Sequence, residues 1–244
     1  MPIRIQPVLA EAWALFRRDR DWLLAVAGPF LFLPSFALAL FVPAWPAAPD
    51  GAGQARDARL LAWADGFTAW AGEHGVWYVL AYLVTAFGTA ALYAAYLDRT
   101  SDSVRDALGR AGALLPRYLF AAILVAIPVG AGLFLWILPG VYLMGRTMLT
   151  GPALLAERPI AAATAVARSF SLTSGAGLPL MALAAITMLV GVVAGQPFLA
   201  LKDTAGASPL TVAIGAAGVA GVSMLTGLAQ ALIAVSAYRR LVAR

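Results

Sequence analysis

Apolar residues fall in long blocks along this chain. Five stretches carry no Asp, Glu, Lys, Arg or His: 22–49, 75–97, 118–145, 169–201 and 204–238. A shorter one, 147–156, follows the isolated Arg146. A helix needs about 20 mostly apolar residues to cross a hydrocarbon core. Trimmed at their Pro and Gly residues, the blocks predict six spans: 22–42, 75–97, 117–138, 140–156, 176–199 and 209–237. The fourth is short, holds Arg146 and follows Pro139-Gly140, a pair that breaks helices. The alternative is one crossing over 118–156.

Loop charge separates the two readings, because Lys and Arg accumulate on the cytoplasmic side. With six spans the cytoplasmic side holds Arg4, Arg17, Arg18, Arg20, Arg99, Arg105, Arg110 and Arg117, with Arg158, Arg168, Arg239, Arg240 and Arg244. That is 13 basic residues against Arg56, Arg59 and Lys202 outside, with Arg146 uncounted. With five spans the split is 9 against 7. Six spans with both termini in the cytoplasm is therefore the expectation. Interfacial aromatics fit this frame: Trp45, Trp77 and Trp136 at outer ends, Trp22, Tyr96, Tyr118 and Tyr238 at inner ends. No small-residue cleavage site follows the first apolar stretch, so no signal peptide is predicted.

Between the spans the pattern changes to helical amphipathicity. In 7–20, Val8, Leu9, Ala12, Trp13 and Phe16 share a face, and Pro7 suits a helix start. This segment either lies flat on the inner membrane surface or packs on other cytoplasmic helices. Residues 101–115 place Val104, Leu108, Ala111 and Leu115 together, and 159–172 do the same with Ile160, Ala163, Val166 and Phe170. Each segment precedes two spans. The fold class is thus all-α: a polytopic bundle of six helices with three short cytoplasmic surface helices. Three weak repeats of surface helix and hairpin, at 7–98, 101–157 and 159–238, are one reading, and chance likeness of alanine-rich helices is the other. The whole chain, 1–244, reads as a single membrane domain. In the outer loop 43–74, Pro43, Pro46 and Pro49 precede DGAG at 50–53. A short interfacial helix over 55–70 follows, carrying Leu60, Leu61, Trp63, Phe67 and Trp70. The glycines Gly191 and Gly195, and Gly215, Gly218 and Gly221, suit close packing of the last two spans, or dimerisation.

Composition agrees with the pattern. Of 244 residues, 62% are hydrophobic and 12% charged. The mean hydropathy is +0.84. This excludes disorder and a large soluble catalytic domain. There is no Cys, hence no disulfide and no thiolate chemistry. The net charge of +5 follows from arginine beside anionic headgroups and calls for no nucleic-acid partner.

Candidate chemistry is sparse. Arg146 is the most informative residue, since an ionisable group within a span is costly. Counted from Gly140 it lies about 9 Å below the outer end of its helix. No Asp or Glu lies in any predicted span. Arg146 then binds backbone carbonyls freed at Pro139, or snorkels to headgroups as an anchor, or binds a lipid phosphate in a bidentate fork. Proton-coupled carriers generally need Asp, Glu or His inside the bundle. Here the polar groups are Gln196, Gln230, Thr147, Thr150 and similar residues. Pro34, Pro128 and Pro179 are either tolerated kinks or broken helices lining a substrate site. Glu73 and His74 read as solvated interface residues rather than a metal site. Ser169, Ser171, Thr173 and Ser174 end the third surface helix, with Gly175 or Gly177 as the stop. No catalytic constellation, metal site or cofactor motif is found.

One stretch carries a resemblance. Leu138, Pro139, Gly140, Arg146, Pro152, Glu157, Ser169, Leu172, Thr173 and Gly175 form a pattern within 137–175. It resembles the membrane domain of glycerophosphoryl diester phosphodiesterases and the related YciC-like bacterial inner-membrane proteins. The N-terminal AEAWALFRRDRDWLL is also similar to such proteins. The resemblance implies a polytopic bundle with no established activity of its own. Hydrolysis in the fused members resembles the work of a separate soluble barrel, which nothing in these residues could form. The implied partners are membrane lipids, or a membrane complex in which the chain is accessory. The alternative is a small carrier or permease subunit for a lipid or other amphiphile. In physical terms, Pro139-Gly140 turns the chain between spans three and four. Glu157 starts the third surface helix, where an acid is favoured. It stands about 16 Å from Arg146 and does not pair with it.

Overall fold

The computed structural model describes residues 4–44, 46, 54–97, 104–204, 206 and 208–243. All regular structure among them is helical. The first helix, α1 (Ile5–Ala27), begins as the expected amphipathic segment. At Asp19 the backbone leaves the helical region (φ −115°, ψ 19°), and this kink separates the segment from the first span. A π-helical turn, Gly28–Phe32, leads into α2 (Leu33–Phe41). Pro29 and Pro34 have no N–H to donate, and the wider turn absorbs the mismatch in hydrogen bonding.

The next helix corrects the predicted loop. α3 (Gln54–Leu97) is one element of 44 residues, so the interfacial helix over 55–70 and the second span are continuous. Gly72 and Gly75 keep negative φ and do not break it. Ring contacts continue through the predicted boundary, stacked from Trp63 through Phe67 to Trp70 and edge-on from Trp70 to Tyr78. The proline segment folds back onto this helix. Trp63 Nε1 donates to the Pro46 carbonyl (2.9 Å) and Trp70 Nε1 to that of Pro43 (3.2 Å). Trp45, the DGAG turn and residues 98–103 lie outside the described residues.

α4 (Val104–Leu135) is a second correction. The amphipathic stretch and the third span form one helix through Pro116 and Pro128. Each proline removes a single hydrogen bond, and packing against α3 sustains the helix across it. The chain then reverses at Trp136, whose backbone is extended (φ −156°, ψ 126°), and not at Pro139-Gly140. Pro139 sits in the first turn of α5 (Ile137–Thr147), where its missing N–H would have had no partner. Gly140 lies against the backbone of Leu133, leaving no room for a Cβ, and Gly132 meets Gly140. The predicted fourth span is broken at Met148–Leu149 and resumes as α6 (Thr150–Ala156). Together α5 and α6 return along α4, from Gly132 beside Gly140 to Tyr118 beside Gly151.

The third amphipathic segment is a separate helix, α7 (Ala162–Leu172). The three segments therefore join their spans in three ways: through a kink, without interruption, and through a loop. Gly175 supplies the stop with φ +76°, a conformation open to glycine. α8 (Gly177–Lys202) and α9 (Pro209–Val242) form the closing hairpin, and Ser208 caps α9 through the Thr211 N–H. Here the glycines serve contacts within the chain. Gly191 faces Thr226, Gly215 faces the Phe198 carbonyl, and Gly218 lies under the Phe198 ring. Gly195 and Gly221 face open space.

Five stretches are helical, long and apolar enough to cross a membrane: Ile5–Phe41, Ala58–Leu97, Arg105–Leu135, Gly177–Lys202 and Pro209–Val242. The best-buried side chains, such as Leu23, Leu92, Leu154, Leu155 and Leu228, form one core. A polar seam closes the end of the bundle beside this core. Glu157 pairs with Arg168 (2.9 Å) and accepts from the Tyr238 hydroxyl (2.9 Å). Arg239 donates to the Tyr96 carbonyl (2.6 Å), and the Tyr96 hydroxyl donates to Asp19 (2.8 Å). Arg240 reaches Glu11 (2.7 Å). Glu157 thus corrects its assigned role: α7 begins five residues later, and the acid serves this seam instead of a helix start. Away from the seam, large apolar side chains face outward. Ile127, Leu189, Val190 and Leu210 are exposed, and Phe134 reaches 91% exposure. Such a surface is stable against hydrocarbon, not water.

The close hairpin at Trp136 makes a contrast within the same few residues. Gly140→Ala is expected to cost about 1–3 kcal/mol by overpacking. Gly130, with open space around its Cβ position, should accept Ala within about 1 kcal/mol. Thermal unfolding of both variants in detergent reads the difference.

Candidate functional site

Polar groups converge in two places. The first surrounds Arg146. Its Nη2 donates to the Phe170 carbonyl (2.8 Å), near the end of α7. A cation is favoured at a helix C-terminus, where carbonyls lack partners. The guanidinium also lies over the Phe170 ring, 5.2 Å from its centroid, and near the Tyr142 ring at 5.9 Å. Nη1 is 3.4 Å from the Tyr142 hydroxyl. Nε is buried and has no hydrogen-bond partner. The main chain of the same residue adds a second tie. Its carbonyl accepts from Ser169 Oγ (2.7 Å) and lies 3.4 Å from Thr173 Oγ1. The partner carbonyl therefore comes from 24 residues away, not from the turn at Pro139. Arg146 also lies beside Gly177, the first residue of α8.

The second arrangement is a cavity of about 450 Å³ between α3, α4, α8, α9 and the broken limb α5–α6. Tyr82 and Tyr93 enter it from α3, and Tyr118 from α4. Thr147, Thr150, Thr187 and Gln230 contribute from the other helices. Three polar residues singled out in the sequence, Thr147, Thr150 and Gln230, are thus brought together. Gln196 is not among the residues that line the cavity, and neither is Arg146. Tyr82 and Ala126 are exposed on the bundle surface, so the cavity opens sideways.

Local structure explains this lining. Gly151 leaves space where a Cβ would strike the Tyr93 ring (2.6 Å) and approach Tyr118 (3.2 Å). The two tyrosine rings consequently sit 6.4 Å apart. Gly145 packs on the α8 backbone, where a Cβ would stand 2.5 Å from the Met181 nitrogen. That contact fixes which face of α5 meets the cavity. Thr147 Oγ1 donates to the Leu143 carbonyl (2.7 Å), and Thr187 Oγ1 to Leu183 and Ala184 (both 3.0 Å). Thr150 is 5% exposed, and its hydroxyl has no partner. A helical threonine ordinarily bonds the carbonyl four residues earlier. For Thr150 that carbonyl belongs to Arg146, which already accepts from Ser169 Oγ.

The remaining sequence candidates separate from both arrangements. His74 and Glu73 lie 3.9 Å apart beside an apolar groove with Trp77. No cluster of three His, Cys, Asp or Glu occurs among the described residues. The tyrosines of the cavity were missed as a group. Their helical phases are set by glycine contacts between helices, which hydropathy does not encode.

No protein-family model, curated protein or solved structure matches this chain.

Arg146→Ala removes a charged hydrogen bond and a stacking contact, and should destabilise the protein by about 2 kcal/mol. Lys cannot both reach Phe170 and stack as a planar fork does, so Arg146→Lys should recover less than half. Circular-dichroism melting in detergent checks both variants. Unchanged stability in Arg146→Ala would contradict the clamp.

Proposed function

We propose that this chain is a non-enzymatic, lipid-interacting protein of the bacterial inner membrane, crossing six times with both termini in the cytoplasm. The single observation that carries the lipid reading is the cavity that opens sideways within the apolar part of the bundle. A site entered from the hydrocarbon suits an amphiphile already dissolved there. The lining combines Tyr, Thr and Gln side chains with apolar ones, a set suited to hydrogen-bonding a polar end within an apolar space. The six-crossing topology is supported by the α5–α6 limb returning along the length of α4, and by the arginine distribution. The resemblance to the phosphodiesterase membrane domain and the YciC-like proteins rests on its motif residues alone. It supports a lipid-adjacent or accessory role and no hydrolytic activity.

A second reading has support in the same cavity. Polar groups on several helices around a space between spans are also what a small carrier or permease subunit for an amphiphile requires. The two readings differ in whether the cavity opens to both sides of the membrane.

Reporter fusions at Trp136 and Gly206 should be active outside the cytoplasm, and a fluorescent fusion at the C-terminus should mature inside. A C-terminus outside would restore the five-span topology. Native mass spectrometry of gently extracted protein should show retained lipid. A stoichiometric protein partner with no lipid would favour a purely accessory role.

A further inference from the structure

The chemistry of the cavity allows its ligand to be named by class, an inference that rests on the lipid-binding reading above. None of the lining residues carries a charge. Arg146, one residue from Thr147, does not line the cavity; its guanidinium donates to the Phe170 carbonyl and lies over the Phe170 ring. An anionic phosphate in the cavity would be desolvated with no cation beside it, a costly state in an apolar setting.

The hydroxyls add direction. Those of Thr147 and Thr187 donate to their own helices, so each offers only lone pairs to the cavity. Phosphate oxygens are acceptors and would oppose them. The Thr150 hydroxyl is buried and unpartnered, and it lines the cavity. Leaving such a group unbonded is unfavourable, so a ligand that bonds it gains the difference. Gln230 and the tyrosines can both donate and accept. The combination fits a group that does the same, such as a hydroxyl. Ala122, Val125 and Val129 of α4 line the rest with apolar surface suited to an alkyl chain. The volume falls in the usual range of small-molecule sites, about 300–1,000 Å³.

We propose that this cavity binds the uncharged, hydroxyl-bearing end of a lipid, with its chain leaving between Tyr82 and Ala126, and that it excludes phospholipid headgroups. Two sources share that chemistry: an acylglycerol with a free hydroxyl and a long-chain alcohol.

The test uses the full chain in detergent, with binding read by native mass spectrometry. The probes are dioleoylglycerol, oleyl alcohol and dioleoylphosphatidylglycerol. One or both neutral probes should bind at one per chain, and the pair identifies the source. The anionic probe should not compete. Thr150→Val keeps the shape and removes the hydroxyl. It should weaken neutral-lipid binding roughly fivefold. It should also leave the lipid-free melting temperature equal or higher, because an unsatisfied group is lost. Wild-type affinity in Thr150→Val, or a lowered lipid-free melting temperature, would overturn the proposal. Binding of the anionic probe alone would also overturn it, while leaving the lipid-interacting reading intact. Binding of no lipid at all would remove both.

Discussion

The double tie made by Arg146 joins α5 to the end of α7. Its side chain holds the end of α7 through the Phe170 carbonyl, and its own carbonyl is held by Ser169. Both bonds join a span-like helix to a short helix more than 20 residues further on. An arginine is suited to this work because its planar head can stack and donate at once, with a charge that remains in an apolar setting. Pro152 has no N–H for the Met148 carbonyl four residues earlier, so the helix is interrupted at Met148–Leu149 and α6 begins at Thr150, whose hydroxyl has no partner.

The polar seam acts at a larger scale. Asp19, Glu157 and Glu11 each accept from a basic side chain or a tyrosine on another element. Any one such ion pair at a partly exposed site contributes little, about 1 kcal/mol or less. Their effect comes from placement: they tie α1, α3, α6, α7 and α9 at one end. The buried core lies beside that end, while Phe134, Leu189 and Val190 face outward further along the spans. Lipid tails are as apolar as these side chains, so no hydrophobic force draws the exposed lengths together. The bundle is held by its buried apolar core, and elsewhere by polar bonds and close glycine contacts at defined points. Between those points there is room for a cavity.

These features differ in how far the sequence reveals them. The apolar blocks fix where spans lie, because crossing hydrocarbon requires a length of apolar chain whatever its neighbours. Where helices begin and end is less visible. Gly72, Gly75 and Pro116 are ordinary breakers, yet α3 and α4 continue through them under tertiary packing. Pro139-Gly140 is a turn signal in sequence. The structure instead uses Gly132 and Gly140 for close approach and reverses at Trp136. Arg146 stood out because charge in a span is rare, but its partner is a backbone carbonyl, and every residue has one. The tyrosines at 82, 93 and 118 carry no signal of convergence, since their meeting depends on helix rotation.

Rotation also explains how an arginine and an uncharged cavity coexist. Successive residues on a helix point about 100° apart. Gly145, Arg146 and Thr147 therefore face three directions: the α8 backbone, the end of α7, and the cavity. A shift of one residue would turn the guanidinium into the cavity and convert a neutral lining into a site for anions. Gly145 prevents the shift, because only a residue without a side chain fits against Leu180 and Met181. The selectivity of the cavity thus depends on a glycine that does not line it. An arginine within a span, read alone, points to phosphate. Read with the glycine before it and the threonine after it, the same arginine holds the wall of a site that it does not enter.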